Sequence, residues 1–241
     1  MATPIRIKRS AVPGKRPQAT DLQVGELALN TYDAELVTLR DRFAATGIAT
    51  EVVRVGAGAT VTNVLYVTKD GNDNNTGQKL GDAKATIKAA VSIASTGDVI
   101  RVSAGTYVEN NPITLPAFCS VVGDDLRTVK VLPSNSTQDI FHVNKGTKLA
   151  NMTFSGHLAP SAAVAFPTAG ATNVGGGKWK GPYVQNCTSD TTTGTGIRID
   201  GNLAVKTKSM NVDAFTQYNQ GGVGVAVTNE GYAQLVSVFT I

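Results

Sequence analysis

Short apolar strands recur along the second half of the chain with a period of about 25 residues, and this repeat limits the possible folds more than any other feature. The stretches LANMTF, YVQNCT, KSMNVD and LVSVF align, with one small polar residue in each. These residues are Asn151, Asn186, Asn211 and Ser237. The last two steps are 25 and 26 residues, and the first, of 35, spans an insertion-like loop. A second series, GIRI near Ile197 and VGVAV near Val225, has a step of 28 residues.

A period of this length, holding two or three short strands, is typical of one coil of a parallel β-helix. A single coil cannot bury its inward side chains, whereas coils stacked about 4.8 Å apart pair each backbone group with the coil above and below. Aromatic residues make up only 6% and charged residues 17%, while abundant Gly and Asn suit tight corners. The sequence therefore predicts an all-β fold with a parallel β-helix over residues 64–241, in which the repeated Asn residues face inward as a hydrogen-bonded ladder.

One amphipathic helix precedes the repeat. It is predicted over residues 83–96, with Asp82 or Thr86 as its N-cap and Gly97 closing it. Its apolar positions follow helical spacing and are Ile87, Ala90, Val91 and Ala94. We expect this helix to cover the end of the stack, because a bare end exposes unpaired strand edges. The other end, QLVSVFTI, has no such cover, so we expect the chain to continue beyond it or another domain or subunit to cover it.

Residues 1–45 differ from the rest of the chain. They contain three prolines and two strand-like stretches, LQVGELALN and ELVTL, on either side of a turn, NTYDA. The basic residues of the first sixteen positions are Arg6, Lys8, Arg9, Lys15 and Arg16. Because this segment is too short to bury a core alone, it is predicted to be an extended arm that borrows its core from a partner or from copies of itself. Residues 46–63 are predicted to be a linker rich in Gly, Ala and Thr, with one strand-like stretch, EVVRV.

Charge, cysteines and hydropathy exclude several classes of protein. The first sixteen residues carry five basic and no acidic side chains of a chain whose net charge is +4, so the rest of the chain is close to neutral and does not indicate a nucleic-acid-binding protein. Cys119 and Cys187 form neither a disulfide framework nor a zinc pattern and are expected to be small core residues. The chain has no apolar run long enough to span a membrane and no secretory signal, which favours synthesis in a reducing cytoplasm.

The stretch LYVTKDGNDNNTG, followed by ATIKAAVSIASTGDVIRVSAGTYVE, resembles the opening of right-handed β-helix domains in the pectate-lyase superfamily. Such domains contain a Tyr-Val strand, a Gly-Asp-Asn-Gly loop, a helix, a GD.I.V strand and a GTY.E turn in this order. The resemblance covers residues 64–110 and implies a right-handed parallel β-helix capped by one α-helix.

The stretch IRIKRSAVPGKRPQATDLQVGELALNTYDAELV separately resembles the N-terminal segment of tail-fibre and other virion structural proteins of tailed phages, especially cyanobacterial ones. The resemblance covers residues 5–37 and implies a tail fibre or tailspike subunit, made in the host cytoplasm and carried on the virion. Such a subunit docks on the tail or baseplate through its N-terminal arm and projects a β-helical shaft toward the host surface, commonly as a homotrimer. The residues expected to form the docking arm are Ile5, Ile7, Lys8, Arg9, Gly25, Glu26, Leu27 and Asn30.

The sequence indicates no catalytic, metal or cofactor site. The acidic residues of the coils do not recur at the coil period, and His142 and His157 have no evident acidic partner. The loop KDGNDNNTG lacks the terminal Glu of a calcium loop and favours Asx turns. Trp179 is expected to pack in a seam between subunits. Two alternatives stay open: a polysaccharide depolymerase, and a carbohydrate-binding module without turnover.

Overall fold

The computed structural model describes residues 7–54 except 25, 33, 45 and 46, and residues 63–167, 181–201 and 208–241. The chain divides into two compact units, residues 1–61 and residues 62–241. Strands make up 49% of the protein and helix 7%, so the fold is mostly β, as predicted.

The N-terminal unit is a four-stranded sheet in the order β1-β2-β3-β4. Its strands are β1 (Lys8–Ser10), β2 (Leu27–Asn30), β3 (Glu35–Ala44) and β4 (Gly47–Arg54). The first two are parallel, and the other pairs are antiparallel. A small core lies beneath the sheet and consists of Leu22, Ala28, Val37 and Leu39.

This sheet corrects two predictions. The predicted extended arm is folded, and residues 47–54, predicted as linker, form its fourth strand. The reason is pairing: β3 bonds β2 through residues 35–38 and β4 through residues 37–44. The sheet pairs the backbone of this segment and buries four apolar side chains within it. That the segment completes its core with a partner or with copies of itself stays a prediction.

The second unit contains one α-helix, one short 3-10 helix and fourteen strands in the described residues. The α-helix is α1 (Ile87–Ile93), and the 3-10 helix is Leu80–Asp82. The strands are β5 (Val64–Val67), β6 (Val99–Val102), β7 (Gly105–Glu109), β8 (Ile113–Thr114), β9 (Ser120–Gly123), β10 (Val129–Pro133), β11 (Phe141–His142), β12 (Lys148–Ser155), β13 (Ala162–Phe166), β14 (Tyr183–Thr191), β15 (Thr195–Asp200), β16 (Ser209–Asn219), β17 (Val223–Thr228) and β18 (Tyr232–Thr240).

These strands form three parallel faces. Face 1 consists of β5, β6, β9 and the first halves of β12, β14, β16 and β18. Face 2 consists of β7, β10 and the second halves of the same long strands. Face 3 consists of β8, β11, β13, β15 and β17. Each strand pairs with its counterpart about one repeat further along the chain, which is compatible with a parallel β-helix.

Apolar side chains form rows along the interior of these faces. The inward row of face 1 is fully or almost fully buried and consists of Leu65, Ile100, Val121, Leu149, Val184 and Val212. On face 3, Ile197 lies opposite Val225, so the predicted 28-residue step is confirmed. Cys119 and Cys187 are free and buried, as predicted, and burial raises the pKa of their thiols to about 11 and about 12.

A single residue with left-handed backbone separates the two halves of each long strand, at the corner between faces 1 and 2. These residues are Asn151, Asn186, Ala214 and Ser237, with φ between 50° and 59°. The predicted alignment is therefore wrong at one position, because Asn211 lies opposite Tyr183 within face 1. One hydrogen bond of the predicted Asn ladder is present, in which Asn186 Nδ2 donates to Asn151 Oδ1 at 3.0 Å. It lies on the surface and not in the interior, because side chains at these corners point outward.

We expect Ala214→Asn to raise the free energy of unfolding by roughly 0.5–1 kcal/mol, because Asn adopts left-handed backbone at lower cost than Ala. The side chain at this position is exposed and has room to extend the Asn ladder. Urea denaturation followed by circular dichroism measures the effect. Ala226→Asn, in ordinary strand backbone of β17, is the matched control and should be neutral or slightly destabilising. Equal effects of the two substitutions would contradict the corner assignment.

Helix α1 covers one end of the stack, where it contacts β5, β6, β7 and β8. Its predicted apolar stripe is confirmed: Ile87, Ala90 and Val91 are buried, and Ala94 packs against the same core. The helix is shorter than residues 83–96. It begins after Thr86, whose side chain accepts from Ala89 N–H at 3.1 Å, so of the two predicted N-caps Thr86 is the one used.

Glu109, at the end of the GTYVE motif, fixes this helix to the stack. Its carboxylate accepts from the N–H groups of Ile87 at 2.7 Å and Lys88 at 3.0 Å, in the first turn of α1. The residue is 1% exposed, and this burial raises the pKa of the carboxyl group. In the same motif, Tyr107 is buried and its hydroxyl donates to Ser103 O at 2.8 Å. A side chain at Gly105 would overlap Lys69, which lies over the Tyr107 ring.

The opposite end of the stack has apolar side chains in contact with solvent. On β17 and β18 these exposed residues are Val223, Val227, Tyr232, Leu235, Val236 and Phe239. Two of them, Leu235 and Val227, continue inward rows that are buried in the preceding coil. Among the helices in the described ranges, none is long and apolar enough to cross a membrane.

Candidate functional site

A groove of about 260 Å³ in the N-terminal unit brings together part of the predicted docking arm. It lies beside β1 and β2, and its lining includes four basic and two acidic side chains. The acidic ones are Asp21 and Glu35, and the basic ones are Lys8, Arg9, Lys15 and Arg16. The predicted arm residue Asn30 also lines the groove, so three of the eight predicted residues meet at one surface.

Two of the basic side chains are already paired with acids. Lys8 Nζ lies 3.3 Å from Glu26 Oε2, and Arg16 lies 2.7 Å from Glu35. The bond from Gln23 N–H, with help from Lys8, lowers the pKa of Glu26. Exposed ion pairs contribute little to stability, and they leave the other two basic residues to set the charge of the groove. Arg9 and Lys15 are both exposed.

Asn30 has a structural role that its sequence context did not reveal. It is 5% exposed, and its amide donates to Val12 O at 3.0 Å and to Lys15 O at 3.1 Å. Its Oδ1 accepts from Tyr32 N–H at 2.9 Å. It therefore holds the segment that carries Lys15 against β2 and is not available to contact a partner.

The remaining predicted arm residues are dispersed. Ile7 is 37% exposed ahead of β1, Leu27 is half-buried in β2, and Glu26 is paired as described. Ile5 and Gly25 lie outside the described residues.

The loop after β5 uses its polar side chains to fix the start of α1. Asp73 accepts from Ala85 N–H and Thr86 N–H, both at 2.9 Å, and from the Thr86 hydroxyl at 2.9 Å. Asn72 Oδ1 accepts from Asn74 N–H at 2.9 Å, which is an Asx turn, as the sequence predicted. In the described part of the chain, no three His, Cys, Asp or Glu side chains are placed to hold a metal ion. Trp179 lies outside the described residues.

The structure brings together one cluster that sequence reasoning missed. Asp139, ahead of β11, lies 2.9 Å from His142 Nε2 and 2.5 Å from Arg198 through the same oxygen, Oδ2. Its Oδ1 accepts from Ala162 N–H at 2.8 Å. The expectation that His142 has no acidic partner is therefore wrong, since Asp139 stands three residues before it. The other histidine, His157, has a buried ring whose Nε2 contacts Thr195 O at 3.1 Å, and burial lowers its pKa.

Register explains why Arg198 reaches this cluster. His142 on β11 lies opposite Ala165 on β13, which lies opposite Arg198 on β15, so the three form one outward row of face 3. The small side chain of Ala165 leaves space for Arg198 to extend across it. Burial of Asp139 opposes ionisation, but the bonds from His142 and Ala162 and the charge of Arg198 outweigh it and lower the pKa of the carboxyl group.

We expect Asp139→Asn to reduce stability by about 1–3 kcal/mol near neutral pH, because it removes a charge that three donors share. The folded-state pKa of Asp139 lies below its ordinary value of 3.8, so its contribution is present above that value and is lost as the pH falls through the folded pKa. The difference between wild type and variant should therefore shrink on acidification. Urea midpoints measured from neutral pH to below pH ~3 test this, with Asp70→Asn, an exposed turn residue, as control. A difference that is constant with pH would contradict it.

The long parallel sheets and their in-register rows define the class of the second unit, which fits β-helix proteins. Residues 69–239 match the family described as "Protein of unknown function (DUF1565)", and the chain belongs to this family. The family is related to pectate-lyase-like β-helix proteins, in agreement with the resemblance of residues 64–110. No curated protein matches the sequence significantly.

Proposed function

We propose that this chain is a structural subunit of a tailed-phage tail fibre or tailspike. In this proposal the N-terminal unit attaches the subunit to the tail or baseplate. The second unit is a right-handed parallel β-helix, capped by α1, which serves as a shaft for attachment to the host surface.

The observation that carries the proposal is the division of the chain into two parts with different physical characters. The N-terminal unit, whose sequence resembles virion attachment segments, has an edge strand, β1, beside a groove with exposed basic side chains. An acidic protein surface is the partner that such a groove favours. The second unit is a stack of in-register coils, in which each coil is bonded along its length to its neighbours.

In this proposal the subunit promotes adhesion through its stiffness and through its assembly into an oligomer. A stack whose backbone groups are paired from coil to coil resists bending and holds its distal end away from the particle. Assembly as a homotrimer presents several weak host contacts together, and effective concentration then multiplies their strength.

Charge reversal in the groove tests attachment. In the phage that carries this gene, Arg9→Glu combined with Lys15→Glu should remove the protein from purified particles, as measured by immunoblotting of gradient-purified virions. Lys79→Glu combined with Arg127→Glu makes the same charge change at exposed sites of the second unit and should leave incorporation unchanged. Absence of the wild-type protein from virions, or wild-type incorporation of the groove variant, would overturn the proposal.

Two other functions predict different results with the purified protein and host capsule or lipopolysaccharide. A polysaccharide depolymerase releases oligosaccharides, and a carbohydrate-binding module binds without release. A structural shaft whose receptor contact lies elsewhere does neither. Release that one carboxylate-to-amide substitution abolishes would assign the chain to the depolymerases.

A further inference from the structure

An open pocket of about 360 Å³ lies over the cluster on face 3. Its floor is made by Asp139, His142 and Arg198, and two prolines, Pro112 and Pro160, form apolar walls. His142 on β11 and Arg198 on β15 come from strands that are not neighbours, because β13 lies between them, and Asp139 precedes β11. Ala165 of β13 is completely buried although it belongs to the outward row, which places it beneath this cluster.

The carboxylate of Asp139 is fully used within the protein. Its side chain is 8% exposed, its Oδ2 contacts both His142 and Arg198, and its Oδ1 accepts from Ala162 N–H. Its negative charge is therefore compensated by neighbouring groups of the protein, and both carboxylate oxygens face those groups. It holds the two cationic or ionisable groups in fixed positions at the base of the pocket.

Arg198 keeps unused donors that a ligand can reach. A guanidinium has five N–H groups. Within the described residues, one nitrogen donates to Pro160 O at 2.9 Å and the other terminal nitrogen donates to Asp139. The side chain is 30% exposed, so the remaining N–H groups are free to face the pocket.

The other exposed or partly exposed polar side chains of the pocket are Thr137, Gln138 and His142. The Gln138 amide has an NH₂ group that donates and an oxygen that accepts. His142 bonds Asp139 through Nε2 and its side chain is 25% exposed, so its Nδ1 accepts when the ring is neutral and donates only when the ring is an imidazolium. The remaining N–H groups of Arg198 and the amide of Gln138, beside a carboxylate already paired within the protein, favour a small planar anion over a cation.

We propose that this pocket binds a carboxylate group, held by the free N–H groups of Arg198 with Gln138 and His142 at its edge. The proposal goes beyond the attachment function and does not depend on it, since it rests on the contacts of face 3 alone.

Titration of the full chain with sodium acetate tests this site, followed by ¹H–¹⁵N NMR of the backbone and of the arginine Nε–H groups. Sodium chloride at equal ionic strength and inorganic phosphate serve as comparison anions. We expect saturable shifts with acetate, confined to the residues around His142 and Arg198. Arg198→Gln should weaken acetate binding by about tenfold or more, because charge-assisted bonds are lost. Arg198→Lys keeps the charge without the planar fork and should be intermediate.

Arg127→Ala removes an exposed arginine outside the pocket and should bind acetate as wild type does. Gln138→Ala changes only an exposed rim side chain, so it supplies a folded variant if Arg198→Gln does not fold, and it should weaken binding severalfold. Shifts no larger than those with chloride would overturn the proposal, as would unchanged affinity in both pocket variants. Saturable binding of phosphate without binding of acetate would overturn the assignment to a carboxylate.

Discussion

Phe154→Ala is expected to lower the free energy of unfolding by about 3–5 kcal/mol, the largest effect of any single substitution considered. Phe154 is completely buried in the inward row of face 2, between Val131 and Ser189. Its ring meets that of Phe141 edge-on, with centroids 5.8 Å apart and planes at 69°. The substitution removes this contact and leaves a cavity that the coils above and below prevent from collapsing. Urea denaturation followed by circular dichroism measures the loss.

Phe239→Ala is the matched control. Phe239 is 60% exposed on β18, so its removal should change stability by about 0.5 kcal/mol or less. Similar losses of stability for the two substitutions would show that Phe154 does not lie in the interior of the stack.

Glu109→Ala is expected to cost about 2–3 kcal/mol, because two N–H groups in the first turn of α1, one buried and one partly buried, lose a charged acceptor. The loss should be concentrated at the covered end of the stack. Hydrogen exchange of the amides of Ile87 and Lys88 should accelerate more than that of amides in β14, which lies several coils away.

Glu109→Gln keeps one acceptor oxygen and no longer buries a charge, so its effect should be smaller than that of Ala. Asp70→Ala, in an exposed turn near the helix, controls for loss of a carboxylate without loss of these bonds. A stable Glu109→Ala variant with unchanged exchange at Ile87 would contradict the role of Glu109 in fixing the helix.

The sequence predicted features that depend on repeated apolar spacing. Apolar side chains at regular spacing become buried together in the fold. This explains why the sequence predicted the pairing of Ile197 with Val225 and the stripe of Ile87, Ala90 and Val91. The sequence did not predict the corner at Ala214. Stacking of the coils forces this position into left-handed backbone, although Ala has no preference for it. The nearby Asn211, which has that preference, lies in ordinary strand pairing.

The missed elements depend on contacts that spacing does not encode. Coil lengths vary, so no fixed step relates Asp139 to Arg198, which stands 59 residues away. The sequence predicts a linker at residues 46–63 because they are rich in Gly, Ala and Thr, with EVVRV as the one strand-like stretch, and pairing with β3 extends the strand to residues 47–54. The groove residues Lys8, Arg9 and Asn30 were predicted together because they belong to one short resemblance, whereas the buried position of Asn30 is a property of the folded sheet.

Cross-linking between coils tests the stacked register most directly. Gln185 lies opposite Asp213 in the next coil, and Val236 lies one coil further. Cysteines at 185 and 213 should be joined efficiently by a short thiosulfonate reagent whose reach matches the strand spacing of about 4.8 Å, as read by mass spectrometry of tryptic peptides. Cysteines at 185 and 236 should not be joined, and the buried native thiols should stay unmodified. Efficient joining of residues 185 and 210, without joining of 185 and 213, would place Asn186 opposite Asn211 and contradict the register on which this fold rests.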